Sequence, residues 1–246
     1  LITAAVTVAL GSPASAYGGP CPDLTQADDL AYLVGTREEL ESISDEHCLD
    51  ETIRLSDNID LSDDEWTPID GFYGTFDGNG FEIRGLNFDD DSESEVGLFN
   101  VGLLGAEFVD VTLTDVSIAA HSTVGALVGQ SLGNLELRGI TVAGSISGTS
   151  NVGGIVGLVL EDLIAVDLEA TIDITGDDYA AGNISQINGD LTLDTATHTG
   201  NITGETYTGG NIADVGANLT ANNLTNEGDI TGETYTGGNI ADVGAN

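Results

Sequence analysis

Gly200-Asn-Ile-Thr-Gly-Glu-Thr-Tyr-Thr-Gly-Gly-Asn-Ile-Ala-Asp-Val-Gly-Ala-Asn218 recurs as Gly228 to Asn246, 28 residues on, with Asn201 exchanged for Asp229 and nothing else changed. The period extends back to Val96. Ile118, Ile146, Ile174, Ile202 and Ile230 form one column; Leu135, Leu163, Leu191 and Leu219 form another. Gly97, Gly125, Gly153, Gly209 and Gly237 make a third, with Ala181 in the gap; Leu103, Val159, Ile187, Val215 and Val243 make a fourth, with Ser131 the exception. A fixed period of this size marks stacked repeats. Within each unit, runs such as Leu135-Glu136-Leu137 and Ile140-Thr141-Val142 alternate apolar and polar between Gly, Asn, Asp and Ser, the pattern of strands and turns. No proline follows Pro68 to interrupt a backbone ladder. One coil cannot bury its apolar face, but stacked coils set identical columns above one another as a continuous core. The expected fold is all-β, a right-handed parallel β-helix of 28-residue coils with about three strands per turn and about 4.8 Å between coils.

One column changes character. Phe99, Leu127 and Ile155 give way to Asn183, Asn211 and Asn239, and stacked Asn side chains can hydrogen-bond along the axis. The sequence leaves open whether these Asn face inward or Ile184, Ile212 and Ile240 take their place in the core.

The charge excludes several functions. Against 42 Asp and Glu the chain of 246 residues has four Arg and no Lys, a formal charge of −38. Arg37, Arg54, Arg84 and Arg138 are scattered singly, so neither nucleic acid nor an anionic membrane is an expected partner. With 40% apolar residues in an ordered pattern the chain is foldable, and the acid belongs on its surface. Such a surface repels itself in dilute buffer, whereas at 1 M salt the Debye length is about 3 Å. The composition therefore points to strong brine. The rival reading is calcium held by clusters such as Asp89-Asp90-Asp91, without a spaced ligand loop to support it. Residues 23–95 hold 23 of the 42 carboxylates, which suggests a boundary between an acidic N-terminal region and the repeats.

Residues 1–16 read as a secretory signal peptide, an apolar run followed by Ser12-Pro13-Ala14-Ser15-Ala16, with the start missing because neither Met nor a basic segment precedes it. Export makes Cys21 and Cys48, the two cysteines, a disulfide pair. Closing that loop contributes roughly 3.5 kcal/mol in the chain-entropy model. Between them, Thr25 to Asp28 fits a capping box and Ala27, Leu30, Ala31 and Val34 follow at helical spacing; a second helix is expected over Arg37 to Ile43. Residues 17–50 are thus expected to be a helical, disulfide-bonded cap, and 51–246 the β-helix. The last unit stops mid-coil without a polar cap, so a C-terminal continuation of the same chain is expected.

Asn58-Ile-Asp-Leu-Ser62, Trp66-Thr-Pro-Ile69, Gly74-Thr-Phe-Asp-Gly-Asn-Gly80, Val96-Gly-Leu-Phe99, Val124-Gly-Ala-Leu-Val-Gly129 and Val152-Gly-Gly-Ile-Val-Gly157 resemble the motifs of GLUG-motif proteins, over about residues 51–160. The resemblance implies a secreted or surface β-helical repeat protein, often adhesin-like. Its motif is structural and transfers no catalytic residue. Some relatives carry a metallopeptidase domain, whose H-E-x-x-H this sequence lacks.

The search for chemistry yields little. No Cys/His spacing supports zinc, and no cofactor or metal is expected. His198 occupies a column with Thr114, Val142, Ala170 and Asn226, the mark of a repeat position. Asp77-Gly-Asn-Gly80 lacks the remaining ligands of a calcium loop and reads as a turn. Asp162 and Asp190 share a column, where coil spacing sets them near the separation of retaining glycosidases. Tyr179, Tyr207 and Tyr235 form a candidate ligand surface beside Asp177, Glu205 and Glu233. The sequons at Asn183, Asn201, Asn218 and Asn223 are candidate N-glycan acceptors. The leading expectation is a non-enzymatic protein outside the cell or on its surface, a rigid stalk or adhesive surface whose partner is a cell-surface glycan or another surface protein. The alternatives are a polysaccharide-active β-helix enzyme, a lyase or glycosidase, and a carbohydrate-binding module.

Overall fold

The computed structural model describes residues 21, 24–44, 46–90, 92–102 and 105–244; the expected signal peptide and Leu103 lie outside them. The fold is a parallel β-solenoid. Its described strands form a 15-stranded sheet and two six-stranded sheets, all paired in parallel between successive coils except at one N-terminal hairpin. A representative coil runs along the broad sheet as Leu163–Thr175, turns into Tyr179–Ala181 and then Ile184–Ile187 of the narrow sheets, and returns at Leu191–Thr199. Each partner lies 28 residues away: Leu163 pairs with Leu191, Tyr179 with Tyr207, and Ile187 with Val215. The Ile118-to-Ile230 column is continuous in the sheet. Ile118, Ile146, Ile174 and Ile202 are buried, each contributing about 1.5–3 kcal/mol.

The period hides a local exchange. Val96 pairs with Val124 at 28 residues, but Phe99 pairs with Val128 and Leu113 with Val142 at 29, and Val116 returns to 28 with Gly144. The Gly97-Leu98 corner is one residue shorter than Gly125-Ala126-Leu127, and the missing residue reappears as a bulge at Thr114-Asp115, where Asp115 has φ 52°. Ser131 therefore pairs with Gly102, and Phe99 does not share the Leu127 register that the column count assigned to it. Ser131 keeps its apolar-column place by donating its hydroxyl to the Gly133 carbonyl at 3.0 Å.

A second column was not read from the sequence. Asp110, Gly139, Asp167, Thr195 and Asn223 have φ between 50° and 66°, and they bend the broad face of every regular coil at one place. Asp, Asn and Gly tolerate this left-handed conformation, whereas a β-branched Thr is strained there. The corner between the narrow sheets is equally exacting: a Cβ on Gly153 would lie 2.0 Å from the Val156 carbonyl oxygen.

The N-terminal region differs from expectation. Thr25–Val34 is not a helix. Strand β1, Thr25–Gln26, pairs antiparallel with β2, Tyr32–Val34, and β2 pairs in parallel with β3, Thr52–Leu55. Tyr32 and Val34 are buried while Leu30 is exposed, so period two prevails because β3 offers a sheet edge that local helical spacing cannot reveal. The capping box lies one segment later: Thr36 Oγ1 accepts from the Glu39 N–H and starts α1, Arg37–Glu41, which a 3-10 turn extends to Ser44. Cys21 and Cys48 form the disulfide, with Cα atoms 4.8 Å apart, and both are buried. The same piece therefore caps the solenoid with its disulfide and helix while supplying a strand to its first coil.

The Asn column points inward. Asn183 donates to Asn211 Oδ1 at 2.6 Å, and Asn211 donates to Asn239 Oδ1 at 2.8 Å. The same amides reach across the core to the Thr197 and Thr225 carbonyls. Ile184 and Ile212 are also buried, so the alternative left open by the sequence resolves as both: at this corner adjacent residues face the interior. The first rung keeps a buried Asn183 Oδ1 without a hydrogen-bond partner, because the residue in the coil before it is Ile155.

Candidate functional site

The tyrosine column is the most regular feature of the surface. Tyr179, Tyr207 and Tyr235 are in register on the strands Tyr179–Ala181, Tyr207–Gly209 and Tyr235–Gly237. Their ring centroids are 4.8 and 4.7 Å apart and their planes are parallel within 3° and 5°. Parallel stacking at coil spacing has a chemical consequence. Both faces of Tyr207 are covered by its neighbours, and the column offers solvent mainly ring edges and hydroxyls. A sugar that stacks on an aromatic face has no such face at Tyr207. Asp214 and Asp242 lie near enough to act on the phenols: burial first, then the neighbouring Asp charges and Tyr rings, push Tyr179 and Tyr207 above the ordinary phenol range. Burial, and then the charge of Asp242, likewise raises Asp214, which accepts a hydrogen bond from Gln186 at 3.1 Å.

The carboxylates singled out as a candidate glycosidase pair have another task. Asp162 Oδ1 accepts the backbone N–H of Asp190 at 2.9 Å, and Asp190 Oδ1 accepts the N–H and the side-chain amide of Asn218 at 3.0 and 2.9 Å. Asn134 starts the series by accepting from the Asp162 N–H. Asp173 does the same for Asn201 at 2.7 Å. Each side chain thus closes a backbone donor of the following coil where the strand ladder begins or lapses. This places part of the acid in the coil-to-coil framework. No carboxylate is among the buried residues of the described chain.

The other candidates are placed as follows. His198 is buried, its ring nitrogens 2.8 Å from Asn226 Oδ1 and 2.9 Å from the Ile172 carbonyl, and a Cβ on Gly182 would strike its ring. Asp77-Gly-Asn-Gly80 is a turn in which Asp77 accepts from the Asn79 N–H and from Arg54. Asn201, Asn218 and Asn223 are exposed, whereas Asn183 is buried in the ladder, with the nitrogen a glycan would occupy already donated to Asn211 and Thr197. The sequon alone could not separate these cases; the identity of its column could. Among the described residues no group of three or more His, Cys, Asp or Glu is gathered in metal-binding geometry.

All four arginines are engaged, and all lie at or before residue 138. Arg54 bridges Asp29 and Asp77, Arg84 meets Asp60, and Arg138 meets Glu107 and Glu136. Arg37 donates to the carbonyls of Leu61, Asp64 and Glu65 and lies 5.8 Å from the centre of the Trp66 ring. Beside this clamp is an open cleft of about 570 Å³ that the sequence did not reveal, lined by Asp64, Glu65, Asp90, Glu93 and Glu95 around Trp66.

No protein-family model matches the chain. In an alignment of 123 residues that covers 46% of this chain, the sequence is 32% identical to halomucin of Haloquadratum walsbyi. The matched stretch is 1% of the length of halomucin, so this chain spans only a small part of that relative. A solved structure from Bacteroides ovatus, named "putative immunoglobulin A1 protease", aligns with a TM-score of 0.43 at 16% identity, covering 92% of this chain and 88% of that one.

Proposed function

We propose that this chain is an exported structural protein, at the cell surface or outside it, that works in strong brine as a rigid β-helical spacer or adhesive surface. The observation that carries the reading is the interchangeability of coils. Residues 200–216 and 228–244 share register, asparagine rung and stacked tyrosine and differ in sequence only at Asn201 and Asp229, so adding a coil changes reach and little else. Similarity to a segment of halomucin from Haloquadratum walsbyi and a buried disulfide support the extracellular and halophilic parts. The GLUG resemblance and the signal-like residues 1–16 support export to the surface. Residues 139–246 contain 15 Asp and Glu and no Arg or Lys, a segment whose self-repulsion only concentrated salt screens. No helix of the described residues is long and apolar enough to cross a membrane. The partner we propose is a surface glycan or another surface protein, held by a weak contact repeated along the coils.

The test is surface labelling of intact cells of the native organism in their own brine, with a membrane-impermeant reagent, together with a polysaccharide panel followed by polymer size. Labelling without any fall in polymer size is the expected result. A protected, intracellular protein refutes the reading, and shortened polymer replaces it with the polysaccharide-active enzyme. Retention on a glycan through the tyrosine hydroxyls, weakened by Tyr207→Phe with polymer size unchanged, identifies the adhesive form of the proposal.

A further inference from the structure

The four sequons divide by the direction in which their column faces. In an extended strand residues i and i+2 share a side, so N-x-T sets the acceptor amide and the Thr hydroxyl together and turns the middle residue the other way. At Asn201-Ile202-Thr203 the middle residue is buried while Asn201 and Thr203 are exposed. The same alternation holds at Asn218-Leu219-Thr220 and Asn223-Leu224-Thr225, where Asn and Thr are exposed and Leu packs against the core. At Asn183-Ile184-Ser185 all three residues are buried.

The outward three also differ among themselves. Asn201 has its backbone N–H fixed by Asp173 while its side chain projects from the face. The Asn218 amide donates to Asp190 at 2.9 Å, and the Asn223 amide reaches Asp194 at 3.5 Å, so each must leave a carboxylate before it reacts. At the position of Asn201 the next coil carries Asp229, the single difference between the two final units, which confines this acceptor to one coil.

We propose that Asn201 is an N-glycosylation site, with Asn218 and Asn223 as weaker acceptors and Asn183 unmodified. The inference rests on the reading that the chain is exported. The donor is an oligosaccharide carried on a polyprenyl phosphate, and the catalyst is a membrane oligosaccharyl transferase. A bond forms between Asn201 Nδ2 and the anomeric carbon of the sugar while the bond from that carbon to the phosphate oxygen breaks. The phosphate leaves with the bonding electron pair, the amide nitrogen loses one proton, and nothing is oxidised or reduced.

The experiment supplies export independently. The full chain is fused to an established export signal of a halophilic host that N-glycosylates its own surface proteins, recovered from the medium, and analysed by intact mass and glycopeptide mass spectrometry. A host glycoprotein from the same culture serves as the control for transferase activity. The expected result is a glycan on the Asn201 peptide, lower occupancy at Asn218 and Asn223, a bare Asn183 peptide, and loss of one glycan mass in Asn201→Asp. That variant places at 201 the residue the fold already accepts at 229. A bare Asn201 in the exported protein overturns the inference without touching the export reading, which the labelling of native cells decides. A glycan at Asn183 as abundant as at Asn201 also overturns it, since column direction would then not select the acceptor.

Discussion

Replacing Asn211 with Ala removes the middle rung of the asparagine ladder. Asn211 accepts from Asn183 at 2.6 Å and donates to Asn239 at 2.8 Å and to the Thr225 carbonyl at 2.9 Å. Three hydrogen bonds go, each with a net value of about 1 kcal/mol. The loss also leaves Asn239 Oδ1 and the Thr225 carbonyl, acceptors at part-buried contacts, without that donor, at the low end of the roughly 1–3 kcal/mol that an orphaned buried acceptor costs. Asn183 retains Thr197, which limits the damage on its side. Ala, unlike Asn, also leaves a small void. The expected destabilisation is about 4 kcal/mol, large for one substitution. Urea unfolding in molar salt, followed at once by Trp66 and by the tyrosine emission left when Tyr17, Tyr32 and Tyr73 are replaced by Phe in parent and variant alike, measures it. Trp66 is buried in the early coils and the three stacked tyrosines lie in the late ones, so the tyrosine transition should move first and furthest. A loss below about 1 kcal/mol, on the same scale as one hydrogen bond, or equal movement of both signals, would refute the argument that the ladder holds the late coils together.

Three further outcomes are expected. Thr195 has φ 66° in a column otherwise filled by Asp, Gly and Asn, so Thr195→Gly should stabilise the fold by about 1 kcal/mol in the same urea assay, and a loss of stability would deny the strain. Burial and the Asp242 charge raise the Asp214 carboxyl, so its ionisation opposes folding: the penalty is absent below its unfolded pKa and complete above its raised folded one. Asp214→Asn should therefore raise the melting temperature at neutral pH by an amount that vanishes on acidification, and a gain that persists in acid would exclude ionisation as its cause. Lowering salt from molar to about 0.01 M lengthens the Debye length to about 30 Å, and the Arg-free segment after Arg138 should lose its circular-dichroism strand signal and tyrosine stacking before Trp66 becomes exposed; simultaneous loss would contradict a charge-driven origin.

The parts of the fold legible in the sequence were those repeated in it. Ile118 to Ile230 announces a column because stacking demands the same volume at the same place in each coil, and two cysteines have one possible pairing. The Thr25–Val34 hairpin was illegible because its deciding partner, Ile53 opposite Tyr32, is a non-local pairing, while Ala27, Leu30, Ala31 and Val34 match a helix locally. The exchange at Phe99 was concealed because a deletion at one corner and a bulge at Asp115 cancel within one period. The candidate surface was legible as a column of tyrosines but not as a stack. Sequence gives the recurrence of Tyr, and only ring orientation shows that Tyr207 turns its faces to its neighbours. Asp162 and Asp190 looked like a reacting pair because spacing alone cannot show that their oxygens accept the next coil's backbone N–H groups.

Solution scattering on the chain and on a variant with four extra copies of residues 200–227 inserted in register, both in molar salt, measures whether the coils are interchangeable. With about 4.8 Å per coil, the variant should be about 19 Å longer with an unchanged cross-section. A wider cross-section, or loss of the cooperative fold, would contradict the claim that these coils are interchangeable units of length.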